Sequence, residues 1–315
     1  MRAKQLPSRL YKFRPFNQHT LDMLVFDRLY FADPSTFNDP LDTKPTLKAD
    51  IDSDQLETTL LRLLESRFKS EMEAAAKKMS YRGPKTKDHI LRRSQRQAQS
   101  IITNIRYNAT NPDYEELGGD PKSGLLASEM EQELLRRYNR GIFSMAERAE
   151  CPLMWSHYGD QHRGLAIGYS TPADASKDVF RMKYGGSRVV EASKVKAMLD
   201  GDSSAGRPVD EAILLRKARD WSYEREWRLL GDRGVQDSPL EMEEVVFGLR
   251  CPVAVQYAVV TAMNDRPREI KFFEIILQNG SFLLRKRRLD IDELKAGLPH
   301  RARWWREHLA AFPIE

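Results

Sequence analysis

The chain has 315 residues, of which 41% are hydrophobic and 31% charged, and a net charge of +5. This balance is that of a folded protein with a sizeable core. No apolar run is long enough to span a bilayer and the opening MRAKQLPSRL has no signal-peptide stretch, so a cytoplasmic location without a membrane partner is expected. Cys151 and Cys251 lie far apart without C-x-x-C spacing, which argues against a disulfide framework or a cysteine zinc site and for two small buried hydrophobes.

In chain order, RLYKFRPF is a short strand that ends at Pro15, because proline cannot continue a ladder. NQHTLDMLVFDR is a short helix with Thr20 or Asn17 as its cap, followed by a strand in LYFADP and a turn-rich loop in STFNDP. In that loop Asn38 and Asp39 are more readily turn braces than ligand contacts. Residues from about 50 to 140 change character: three amphipathic helices, the first with Leu60, Leu61 and Leu64 as its stripe, form a helical insertion. Beyond 141 the strands return in GIFSMAE, GLAIGYS and VFRMKYG, with a short helix in PLMWSHYG between them. DEAILLRKARDWSYE begins as a helix capped by Asp210, and EEVVFGLR, QYAVVTAM and KFFEIILQNG read as strands or short strand–turn–helix pieces. The expected fold class is α+β: a single domain with a mixed, strand-rich core formed by both ends of the chain, a helical insertion at about 50–140 and a basic helical tail at about 290–315. In that tail Trp304 and Trp305 could stack on bases, although an amphipathic helix with inward tryptophans explains them more simply.

Three constellations combine charge with aromatic residues. The first is Tyr11, Lys12, Phe13 and Arg14, in which Lys12 and Arg14 share a strand face. The second is MWSHYGDQHRG, with Trp155, Ser156, His157, Tyr158 and His162. The third is WSYEREWRLL, where strand alternation would put Glu224, Glu226 and Arg228 on one face and Arg225, Trp227 and Leu229 on the other. His157 and His162 lack zinc-peptidase spacing, Ser156 is not in G-x-S-x-G, and neither phosphate-loop nor dinucleotide fingerprints occur, so no metal site and no nucleotide-triphosphatase or Rossmann chemistry is expected. Paired carboxylates suit cleavage of a sugar–base bond: one stabilises the positive charge that develops on the ribose, and the other holds a hydroxyl or activates the nucleophile. Arg14 or Lys12 could hold a diphosphate, and Trp155 or Tyr158 could stack on a nicotinamide ring, with Tyr11 and His157 as further cofactor-binding candidates. A structural alternative is that Arg228 pairs with Glu226 and occupies its carboxylate.

In this order LYKFR, LYFADPSTFNDP, PLMWSHYGDQHRGLAIGY and WSYEREWRLL resemble the bacterial domain-of-unknown-function family 2971, over about 9–42 and 141–250. One departure is NDPLD, where the pattern has an aromatic and a glutamate after the proline; Asp42 keeps the charge. The order of elements also resembles the ADP-ribosyltransferase fold, in which a closing E-x-E supplies the catalytic and acceptor-side glutamates. The resemblance implies Glu226 as catalytic residue, Glu224 as its acceptor-side partner, Arg14 or Lys12 on NAD, and Tyr158 as the aromatic contact. It implies an NAD-consuming transferase acting on a protein or nucleic acid, as a toxin or antiphage-defence effector. The rival expectations are a non-catalytic nucleotide-binding sensor or interaction module of the same family, and a metal-independent nuclease using His157, His162 and the basic tail.

Overall fold

The computed structural model describes residues 6–81, 83–113, 120–137 and 140–300. The elements run β1 (Leu10–Arg14), α1 (Gln18–Phe26), β2 (Arg28–Phe31), β3 (Thr46–Lys48), α2 (Ser53–Lys78), α3 (Thr86–Asn108) and α4 (Pro121–Arg137). Then come β4 (Gly141–Ala146), α5 (Pro152–His157), β5 (Leu165–Ser170), β6 (Val179–Arg181), β7 (Lys183–Tyr184), β8 (Val189–Glu191), α6 (Ala192–Leu199) and α7 (Ser203–Leu214). The chain continues with β9 (Arg216–Lys217), β10 (Glu226–Gly231), β11 (Gly234–Asp237), β12 (Glu241–Phe247) and α8 (Val253–Ala262). It closes with β13 (Lys271–Leu277), β14 (Leu284–Arg288) and α9 (Ile291–Ala296). The class is α+β, as the alternation of periodicities leads one to expect.

The chain divides into two units, one of Met1–Ala32, Gly141–Met182 and Asp220–Glu315, the other of Asp33–Arg140 and Lys183–Arg219. In the first unit both ends of the chain build one mixed eight-stranded sheet, ordered β14-β13-β12-β5-β1-β4-β10-β6. Only β12 and β13 run parallel within it. β5 lies between β1 and β12 with five of its six residues buried, which explains its unbroken apolar run. The two sheet faces carry separate cores. Leu10, Phe143, Met145, Ile167, Tyr169, Trp227, Leu229 and Val245 belong to one, and Tyr11, Phe13, Ala146, Trp155, Ala166 and Val246 to the other.

The second unit contains the expected helical block and also residues 183–219. Asp52 caps α2 by accepting from the Gln55 N–H, and α2 buries Leu56, Leu60, Leu63 and Leu64, while Leu61 is only half-buried. Its Arg67 and the neighbouring Arg136 both bind Glu133, so the buried carboxylate of α4 is compensated from two helices.

Several local readings need correction. QYAVVTAM is helical, as part of α8, because its apolar residues pack against the core from outside the sheet and have no strand partner. α7 begins at Ser203 under an Asp202 cap, seven residues before the expected Asp210 start, since Asp202 accepts from the Ser204 N–H. VFRMKYG is split, with β6 joining the large sheet and β7 pairing with β9 instead. The expected tail falls largely on residues 301–315, Trp304 and Trp305 included, which lie outside the described residues.

Candidate active site on one face of the large sheet

β10 begins at Glu226, directly opposite Ala146, which in turn stands opposite Tyr11. Glu226 therefore shares a sheet face with Tyr11, and by alternation so does Arg228, while Trp227 and Leu229 point into the opposite core. The expected alternation thus holds for Glu226 to Leu229. It fails for Glu224: Arg225 has a left-handed φ of 44°, which breaks the extended backbone, and Glu224 closes the 3₁₀ turn of Arg219–Glu224. The two glutamates are not neighbours on one strand. Each nonetheless is buried, at 4% exposure.

Both carboxylates accept hydrogen bonds from side chains. The Tyr158 hydroxyl donates to Glu224 Oε1 at 2.8 Å. Arg228 Nε donates to Glu226 Oε1 at 2.8 Å, with Nη2 at 3.4 Å from Oε2, and Arg228 itself has no exposed surface. The ion pair weighed as a structural alternative is therefore present. A buried charge of this kind is tolerated only with its counter-charge in place.

Beside the Glu224 turn four aromatic rings gather. His157 lies 6.2 Å from Tyr158, 6.5 Å from Trp221 and 6.3 Å from Tyr223, and Trp221 lies 6.1 Å from Tyr223. His157 is exposed and the other three are half-buried, so the cluster reaches solvent, and its Tyr158 ties it to the buried Glu224. Such an edge accepts a planar ring by stacking. Trp221 and Tyr223 went unremarked in the sequence.

Three expected cofactor contacts are placed elsewhere. Lys12 and Arg14 alternate with Tyr11 and Phe13 and so face the opposite core: Lys12 Nζ donates to the Ser144 carbonyl at 3.0 Å and stands 4.8 Å from the Phe143 ring centre. The period of two that makes them share a face also separates them from Glu226. Arg14 is half-buried, its Nε has no partner among the described residues, and burial holds its pKa below the ordinary arginine value. Trp155 is wholly buried, donates from Nε1 to the Ala149 carbonyl at 2.7 Å and meets Phe13 edge-on at 5.0 Å, so it is a core wall rather than a stacking platform.

Tyr11 is on the Glu226 face but is engaged in a second cluster. Its hydroxyl donates to Glu244 Oε1 at 2.8 Å, and Lys286 Nζ reaches both that oxygen, at 2.5 Å, and the Tyr11 hydroxyl, at 3.1 Å. Burial, then the Glu244 charge, pushes the Tyr11 pKa above the usual phenol value. Gly168 makes the room, since a Cβ there would stand 2.6 Å from Glu244 Cγ. Glu244 and Lys286 went unnoticed in the sequence; the glycine inside the apolar run GLAIGYS was the one signal.

His162 stacks 6.3 Å from Trp155 at the end of a turn in which Asp160, Gln161 and His162 all have positive φ, and burial lowers its pKa. Its Nε2 lies 3.5 Å from Ser156 Oγ, beyond a good hydrogen bond. Among the described residues no three His, Cys, Asp or Glu side chains are grouped to hold a metal ion, and no helix is long and apolar enough to cross a membrane.

No curated protein and no solved structure matches the chain. Residues 154–229, which carry Trp155, His157, Tyr158, Glu224, Glu226 and Arg228, match the family model described as "Protein of unknown function (DUF2971)".

Proposed function

We propose that the protein is an NAD-consuming, ADP-ribosyltransferase-like enzyme that works at the Glu224–Glu226 end of this sheet face and modifies a protein or nucleic acid, in the manner of a toxin or defence effector. The observation that carries the reading is a buried carboxylate, Glu224, tied through the Tyr158 hydroxyl to a solvent-reaching group of aromatic rings, with a second buried carboxylate, Glu226, two residues on. The rings of Trp221, Tyr223 and His157 take the nicotinamide. When the bond from nicotinamide to ribose breaks, its electron pair leaves with nicotinamide and the ribose becomes oxocarbenium-like; Glu226 stabilises that charge. The acceptor then attacks the same carbon and gives up its proton on the Glu224 side, with Tyr158 fixing the carboxylate. Lys12 and Arg14 have no part in this arrangement.

The Glu226–Arg228 pair favours a second reading, a nucleotide-binding module without turnover, because the guanidinium already occupies the carboxylate. Nicotinamide release and NAD binding separate the two. Wild type should release nicotinamide in the presence of cell extract as acceptor. Trp221→Ala should weaken NAD binding, and Glu224→Gln should slow release at least tenfold while NAD still binds. NAD binding without release gives the second reading; neither binding nor release by folded protein sinks both.

A further inference from the structure

The net charge is distributed unevenly. Residues 77–97 hold eight lysines and arginines against one aspartate, so that although the whole chain is +5, everything outside this stretch is net acidic by two charges. The stretch is the tip of the hairpin formed by α2 and α3. Lys77, Lys78, Lys85, Lys87, Arg92, Arg93 and Arg96 are all exposed. Among the described residues none of these seven forms an ion pair, whereas the arginines further down the helices, Arg67 and Arg106, do.

At this tip lies a groove of about 920 Å³, with Phe68, Met72, Ala75 and Ile90 in its lining; of the seven cations Lys85 and Arg93 line it, and Glu71, the one carboxylate among its described lining residues, is paired with Arg67. Tyr81 and Met79 stand at its mouth, 64% and 79% exposed. Lys85, His89 and Arg93 line the α3 side at four-residue intervals, which places them in a row along one helix face about 6 Å apart. An apolar, aromatic-bearing groove rimmed by unpaired cations is the combination that holds a flexible polyanion whose bases can stack, with phosphates on the rim and a base on the ring.

We propose that the α2–α3 tip binds single-stranded nucleic acid, with Lys85 and Arg93 on phosphates and Tyr81 stacked on a base. Charge complementarity selects a polyanion, and the apolar floor with its exposed tyrosine selects unpaired bases over a duplex. The inference stands apart from the catalytic reading, since it is tested by binding alone.

The test is fluorescence-anisotropy titration of the full chain with a labelled oligothymidylate of about 20 nucleotides, long enough for one such site. Wild type should bind saturably and weaken as salt rises. Lys85→Glu/Arg93→Glu should lose at least tenfold in affinity and reduce the log–log salt slope by about one to two. Tyr81→Ala should lose about fivefold or more. Arg285→Glu/Arg288→Glu, which changes the net charge equally on β14, should change affinity by less than about threefold, and circular dichroism should show all variants folded, because every substituted residue is at the surface. Equal losses from the two charge reversals, duplex binding that is as tight and indifferent to Tyr81→Ala, displacement by polyglutamate as effective as by oligonucleotide, or no binding at low salt would each overturn the proposal.

Discussion

Glu226 and Glu244 stand in one cross-strand row on the same face of the large sheet, on β10 and β12, and each meets a cation. The cations reach them differently. Arg228 comes from two residues along the same strand and is sealed from water, whereas Lys286 comes from the edge strand β14 and keeps 20% of its side chain exposed. A cation that can hydrate gives up less when its partner is removed, so the Arg228 pair is the rigid one and the Lys286 pair the yielding one. For the proposed chemistry this means that the working carboxylate is oriented by a fixed guanidinium, and that substitution at Glu226 changes stability and chemistry together. At Glu224 the Tyr158 hydroxyl donates to the carboxylate, so substitution there probes the acceptor side of the proposed chemistry.

The largest expected effect tests the rigid pair. Arg228→Met leaves Glu226 buried without its counter-charge and should cost about 3–5 kcal/mol in a denaturant melt; a loss under about 1 kcal/mol would show that water reaches the pair. Glu226→Gln keeps the shape and part of the hydrogen bonding, so a loss of about 2–3 kcal/mol is expected. Lys286→Met should cost less again, about 1–2 kcal/mol: the lysine side chain is 20% exposed, so water can replace part of the lost hydrogen bonding, while the contact of Nζ over the Phe273 ring, 4.4 Å from its centre, is lost with the charge. If Lys286→Met proved as damaging as Arg228→Met, the contrast would fail.

A pH titration sharpens the same comparison. The folded state raises the Tyr11 pKa, so the contribution of this group is fully present below the unfolded phenol value of about 10 and is lost as pH rises beyond it. Tyr11→Phe should therefore flatten the fall in stability between about pH 10 and 11.5; Tyr169, buried and shifted the same way on the other face, supplies the residual slope. An unchanged slope would mean that Tyr11 ionises as freely folded as unfolded. The smallest effect concerns the opposite face. Arg14→Met removes a desolvated cation whose Nε has no partner among the described residues, and should change stability by less than about 0.5 kcal/mol while leaving NAD affinity unaltered. A drop in NAD affinity would return the nucleotide to the first-strand cations and break the assignment of faces.

The class of fold, the strand of LYKFR, the buried strand of GLAIGYS and the alternation of Glu226 to Leu229 were legible in the sequence because each depends on periodicity within a few residues. Period two also determined that Lys12 and Arg14 share a face, and the family resemblance pointed to the stretch that the family model matches. Which face Glu226 occupies relative to them was a matter of pairing: β10 meets β4, β4 meets β1, and that register places Tyr11, not Lys12, in its row. The left-handed Arg225 that displaces Glu224, and the union of Glu244 with a lysine 42 residues further along, likewise have no local signature. Local pattern fixes what a side chain can do and with which neighbours it alternates; only strand order and burial decide which charges meet, since a buried charge takes whichever partner the packed sheet brings within reach.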